Sequence, residues 1–339
     1  MNKLDKVRGC FLGVAVGDAL GMPIEGYNRD EILFITENKG ITDFIGPIVQ
    51  WKSDVNQRDL NCCSTTDDWA LTKAVAISLI QSQGFDLLDQ ALAHVAAYET
   101  NTCGWGQTTK SSLKETKIYF DSRGRMGKSP FDLPAIIENK GAGNGVAMKV
   151  APLAMMSWLR HEETAYATYL SSLTHSSLEA SDAGLLIELM IRYSADYQNQ
   201  NSKEFDKNNL QKSLKFLYNG EFGQQSLLYA KAVSLLHNFD LIMSKPLDFS
   251  IALLGNGFAA YDSIPLALAI YFRNSDNFTS AILEAVNFAK DSDTVGSIVG
   301  SLLGAKLGYS NIPLQWRRGE LKESLALADF LYGVFYDSN

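Results

Sequence analysis

Two short runs of acids and hydroxyls are the residues best able to do chemistry. They are Ser64-Thr65-Thr66-Asp67-Asp68 and Asp291-Ser292-Asp293-Thr294, each directly ahead of an apolar stretch. Taken singly, each has an ordinary explanation, because Ser, Thr and Asp are preferred helix N-caps and acids in a first turn complement the helix dipole. A cap needs one acceptor, however, and two acids plus a hydroxyl exceed that need at both places. Brought together, four carboxylates and two threonine hydroxyls form an all-oxygen, hard-ligand set suited to Mg²⁺ or Mn²⁺ rather than zinc. Left uncompensated, such carboxylates repel one another and bind protons more tightly, a cost that one or two divalent cations remove. Spacing alone does not show that the runs meet, since most of the chain separates them.

Other chemistries find little support. Cys62 and Cys63 are adjacent, Cys10 and Cys103 are isolated, and no Cys-x-x-Cys occurs. The four histidines (His94, His161, His175, His237) offer no helical ligand pair, which argues against a zinc hydrolase. Few cysteines in a chain of this length point to a reducing cytoplasm. Thirty basic against 38 acidic side chains give a net charge of −8 and a pI near 5.1, so a nucleic-acid backbone is not the expected partner. No apolar stretch long enough to cross a membrane is free of polar breaks, so no membrane partner is expected, and Asp5 and Asp18 bracket the N-terminal apolar stretch in a way unlike a signal peptide.

The elements that must position these acids read as helices throughout, and the expected fold class is all-α. Helical periodicity is expected over 67–83, 86–98, 162–174, 178–197, 209–218, 224–237, 277–290, 294–307 and 322–336, with Gly84 as a C-cap. Ile32–Thr36 and Ile48–Trp51 read as short extended pieces, and Asn199–Asn209 as a polar excursion between helices. The irregular stretches 26–65 and 121–145 read as functional loops. Gly9, Gly13, Gly17, Gly21 and Gly296, Gly300, Gly304, Gly308 recur every fourth residue, which places each set on one helix face for close backbone packing.

Five blocks occur in register with a known pattern. They are Gly17-Asp18-Ala19-Leu20-Gly21-Met22-Pro23-Ile24-Glu25, Thr66-Asp67-Asp68, Gly143-Asn144-Gly145 with Met148-Lys149 and Ala151-Pro152-Leu153, Leu173-Thr174-His175, and Asp291-Ser292-Asp293-Thr294. In these the chain resembles the ADP-ribosylglycohydrolase family over nearly its whole length. The resemblance implies one all-helical domain over 1–339 with a cleft holding two metal ions, usually Mg²⁺. The implied reaction is hydrolysis of the glycosidic bond between ADP-ribose and a modified protein side chain, arginine or serine, with ADP-ribose released and a monomer as the acting form.

Carried over residue by residue, the resemblance puts Thr66, Asp67, Asp68, Asp291, Asp293 and Thr294 on metal-ligand positions and Glu25 on a glutamate near the scissile bond. It puts Gly104 and Gly106 on a loop at the pyrophosphate, Gly143, Asn144 and Gly145 on a second loop near the ribose, and His175 on a nucleotide-contacting histidine. Without it, Glu25 reads as a loop carboxylate, His175 as a helix-end histidine and Asp18 as a structural hydrogen-bonding residue. The departures are Trp69 in place of a Thr or Ser, Lys290 in place of a glycine, Lys149 in place of an arginine, and Gly104 where some bacterial members carry an aspartate. Retention of all six metal-ligand positions favours an enzyme over a non-catalytic ADP-ribose-binding or structural relative. A hydrolase of a free ADP-ribosyl metabolite is the other alternative. Trp69 has two readings: its ring packs inward, or it shapes the acceptor side of the cleft.

Overall fold

The computed structural model describes residues 2–45, 64–100, 104–123, 141–162, 166–171, 173–219 and 226–336. In chain order its helices are α1 (Lys3–Gly21), α2 (Arg29–Ile35), α3 (Asp67–Ser82), α4 (Leu87–Thr100), α5 (Gln107–Arg123), α6 (Ala151–Arg160), α7 (Tyr166–Ser171) and α8 (Leu178–Ala195). They continue with α9 (Ser202–Asn219), α10 (Leu227–His237), α11 (Phe239–Ser244), α12 (Leu247–Leu254), α13 (Ala260–Arg273), α14 (Phe278–Phe288), α15 (Ser292–Leu307) and α16 (Glu323–Phe335). The described residues contain no strand, only one isolated antiparallel bridge between Gly143 and Ala259. The all-α expectation therefore holds.

The two glycine stripes set the centre of the fold. They face each other along antiparallel α1 and α15, with Gly9 against Gly304, Gly13 against Gly300, Gly17 against Gly296, and Gly21 against Ser292 and Asp293. A Cβ on Gly13 would lie 2.1 Å from the Gly300 carbonyl oxygen, so only glycine lets the backbones come this close. Every residue of α15 is buried, and so is α1 from Gly9 onward. The stretch Lys3–Ile24 is long and apolar enough to cross a membrane, but 94% of that window is buried inside the protein. Packing against α15 accounts for its apolarity. Around this pair one hydrophobic cluster runs from Val7 to Phe335.

Three local expectations need correction. The stretch at Ile32–Thr36 is helical, because Asn28 and Glu31 form a capping box that starts α2. The polar stretch at 199–209 is mostly the first two turns of α9, whose inner face carries Asp206 and Asn209 into the interior. Helix α3 ends with Gln83, not Gly84, in the left-handed conformation. The expected extended piece at 48–51 and three of the cysteines, Cys62, Cys63 and Cys103, lie outside the described residues.

Candidate active site

The seam between α1 and α15 delivers the second acid run to the end of α1. Gly21 abuts the backbone of Ser292 and Asp293, and the Ser292 hydroxyl donates to the Gly21 carbonyl at 2.9 Å. One turn earlier on α1, the buried Asp18 reaches the start of α3. Its carboxylate accepts the Thr66 N–H at 2.9 Å, the Thr66 hydroxyl at 3.0 Å and the Trp69 N–H at 3.0 Å. Asp18 thus caps α3 from another helix, which releases the acids of the first run from that duty.

The two runs meet. The Thr66 and Thr294 hydroxyls each lie 3.3 Å from Asp68 Oδ2, while Asp68 Oδ1 is buried with no hydrogen-bond partner. Two carboxylate trios, Asp18–Asp68–Asp293 and Glu25–Asp291–Asp293, each offer oxygens within 4.8 Å of one another, and Asp293 belongs to both. Asp67 falls in neither trio; its Oδ2 faces the Gly106 N–H at 3.4 Å. Asn144 fixes Asp291, donating to its Oδ2 at 2.5 Å and to the Ser263 hydroxyl at 3.0 Å. Glu25 is held in place by the backbone: the Gly26 N–H donates to the Lys290 carbonyl at 2.7 Å, with Gly26 at a φ of 87°. Lys290 itself is exposed, and its N–H donates to Asn256.

Burial dominates the electrostatics. It pushes Asp67 up to about 8, helped by the charges of Asp18 and Glu25, and Asp291 up to about 7, helped by Glu25 and opposed by the Asn144 hydrogen bond. Asp68 and Asp293 are held well above the ordinary carboxylate range, again by burial first and then by neighbouring carboxylates. An all-oxygen donor set, a buried carboxylate oxygen without a partner and two trios sharing Asp293 fit a pair of hard divalent cations.

The substrate-side residues divide into two loops. Gly104 has a φ of 81°, and the space above Gly106, at the start of α5, is open, as a backbone cradle requires. The other loop is different. A Cβ on Gly145 would sit 2.4 Å from His175 Cε1, and one on Gly143 3.1 Å from His175 Nε2. These glycines make room for the His175 ring, a reason the sequence did not disclose. The ring is buried, its Nδ1 has no partner, and burial lowers its basicity to about 3, so it is a neutral imidazole. Trp69 points inward: it is 4% exposed and packs edge-to-face on Phe11 with centroids 6.4 Å apart. Asp18 is the residue that motif reading undervalued. The available signal was an aspartate inside the apolar, glycine-striped helix α1.

An all-helical body with a buried, oxygen-only acidic cleft beside two glycine loops is a hydrolase-type site for a polar, phosphate-bearing substrate. The chain belongs to the ADP-ribosylglycohydrolase family, whose sequence model matches residues 1–339. This membership places its chemistry among glycosidases acting on ADP-ribosyl bonds. It is similar to the ADP-ribosylhydrolase ARH3 of Mus musculus, 22% identical over 372 residues, covering 100% of this chain and 94% of the relative. It is also similar to the ADP-ribosylarginine hydrolase Tri1 of Pseudomonas putida, 27% identical over 327 residues, covering 92% and 73%. A solved ADP-ribosylglycohydrolase-related protein complex shares the fold, with a TM-score of 0.71 at 24% identity and 98% of each chain covered.

Proposed function

We propose that this protein is a metal-dependent hydrolase that releases ADP-ribose from a modified protein side chain, with two Mg²⁺ held by the acid runs and Mn²⁺ as a substitute. The observation that carries the reading is the pair of carboxylate trios joined at Asp293, with the buried Asp68 Oδ1 of the first trio left unpartnered. Asp18, Asp68 and Asp293 would hold one cation and Glu25, Asp291 and Asp293 the other, with the Thr66 and Thr294 hydroxyls completing the set. When bound, the cations supply Lewis-acid stabilisation and a template for the ribose hydroxyls.

The chain's own groups do the rest. Glycosidic cleavage breaks the bond between the ribose anomeric carbon and the acceptor atom through an oxocarbenium-like state. Water adds to that carbon, and the leaving atom takes a proton. Glu25 is the half-buried carboxylate placed to handle that proton. In this reading the loop of Gly104 and Gly106 lines the pyrophosphate, Asn144 keeps Asp291 in line, and His175 contacts the nucleotide as a neutral ring. Gly104 brings no carboxylate to pair with a guanidinium, which supports serine over arginine as the acceptor.

The test is release of free ADP-ribose from ADP-ribosyl-serine, ADP-ribosyl-arginine and O-acetyl-ADP-ribose, with Mg²⁺ or with EDTA. The expected result is Mg²⁺-dependent release that is fastest from the serine conjugate. Full activity in EDTA removes the metal, and preference for O-acetyl-ADP-ribose moves the substrate to free metabolites.

A further inference from the structure

Two lysines among the described residues have no exposed surface, and they are satisfied in opposite ways. Lys306 forms a buried ion pair with Asp206 at 2.8 Å. Lys149 makes no ion pair among the described residues; its one hydrogen bond runs to the Thr174 hydroxyl at 2.7 Å. Burying a lysine amine on a single hydroxyl is expensive, and burial lowers Lys149 to about 7 against the pull of the Asp67 charge, so its retention asks for a positional reason.

The surrounding hydrogen bonds supply that reason. The Thr72 hydroxyl on α3 lies 2.7 Å from the Asp68 carbonyl and 3.2 Å from that of Met148. The Met148 N–H donates to the Asn144 carbonyl and the Lys149 N–H to that of Val146, both at 3.2 Å, closing the turn that carries Asn144. Lys149 Nζ then holds Thr174, and the next ring, His175, fills the space beneath Gly143 and Gly145. From the same loop Asn144 reaches Asp291. A continuous circuit thus joins the helix of the first acid run to the second run, and Lys149 Nζ is the side-chain link between its two turns.

We propose that Lys149 is a positioning residue of the substrate cleft. Its Nζ clamps the Thr174–His175 turn under the Gly143–Gly145 loop and so sets where His175 and Asn144 meet the nucleotide part of the substrate. The ligand named here rests on the function proposed above, whereas the clamp does not. A lysine suits it better than an arginine, because a single compact nitrogen faces the one hydroxyl where a planar guanidinium would bury five N–H donors.

The test uses the metal-loaded protein with Lys149→Met, Thr174→Val and Thr174→Ser. Calorimetry gives ADP-ribose affinity, and the imidazole signals of His175 are followed by NMR. Lys149→Met and Thr174→Val should each weaken ADP-ribose binding about tenfold, in the range found for residues that orient ligand-contacting groups. Both should shift the His175 signals, and the double variant should be no weaker than either single one. Thr174→Ser keeps the hydroxyl and should retain wild-type affinity. Unchanged affinity with unmoved His175 signals in a folded Lys149→Met overturns the clamp. So does a loss in Thr174→Ser equal to that in Thr174→Val, a comparison that stands even if Lys149→Met does not fold. If the wild-type protein binds no ADP-ribose, the proposed function fails, and the His175 signals still decide the clamp.

Discussion

The two acid runs look alike in sequence and are held by different means. The run before α15 is fixed mainly by backbone packed on backbone, Gly21 on Ser292 and Asp293, with the Ser292 hydroxyl on the Gly21 carbonyl and Asn144 on Asp291 added to it. The run before α3 hangs on one side chain, the Asp18 carboxylate, which accepts from Thr66 and Trp69. Close packing thus leads in one half of the site and a carboxylate's hydrogen bonds lead in the other. The seam cannot be loosened without disturbing the core, whereas the Asp18 link to the start of α3 can be altered by changing a few atoms.

The sharpest way to break this comparison is Gly13→Ala in the seam. Its Cβ would lie 2.1 Å from the Gly300 carbonyl oxygen, and the clash is with backbone that cannot rotate away. Thermal denaturation should show a loss of roughly 3 kcal/mol or more. A melting temperature near that of the wild type would mean that α1 and α15 can separate freely.

Asp18→Asn probes the other half and should do less. An amide turns part of an acceptor toward two N–H groups, for an expected cost of about 1–3 kcal/mol. Mn²⁺ affinity measured by calorimetry should fall more steeply than stability, since Asp18 also belongs to one carboxylate trio. Equal losses in Mn²⁺ affinity for Asp18→Asn and for a stability-matched core variant would leave Asp18 a cap alone.

The third effect is a pH slope shared by both runs. Burial raises Asp67 from 3.8 to about 8 and Asp291 from 3.8 to about 7. Between those values the folded, metal-free protein holds protons that the unfolded chain has released. Its stability should be fullest below pH 4 for these groups and decline as pH rises through 7 to 8. Melting in EDTA across that window should show the decline, and saturating Mg²⁺ should flatten it. Asp67→Asn and Asp291→Asn should each remove part of the slope, which tells how evenly the two differently held runs share the charge.

The acids, the glycine stripes and the glycine loops were legible because each is a short pattern with one physical meaning. Periodicity four marks a helix face, and surplus acids at a helix start mark something beyond a cap. What stayed hidden depends on contacts between distant segments. Nothing near Asp18 says that it caps α3, nothing near Gly145 says that a histidine ring lies against it, and Lys149 shows neither its burial nor its reach to Thr174. The short helix α2 was missed for a local reason. Its Asn28–Glu31 box is a start signal that the β-branched and aromatic residues after it obscured.

The period of the α1–α15 seam has a consequence for how the site can fail. Glycines recurring every fourth residue allow the two backbones to nest in steps and not in between. One step is four residues, or about 6 Å along the helix axis. A slip of that size would leave the seam nearly as well packed while carrying Asp293 away from Asp18 and Asp68, so that neither trio survives. The register of the seam therefore decides whether the carboxylates of both trios meet at all: a shift of one notch would separate them completely and not by degrees.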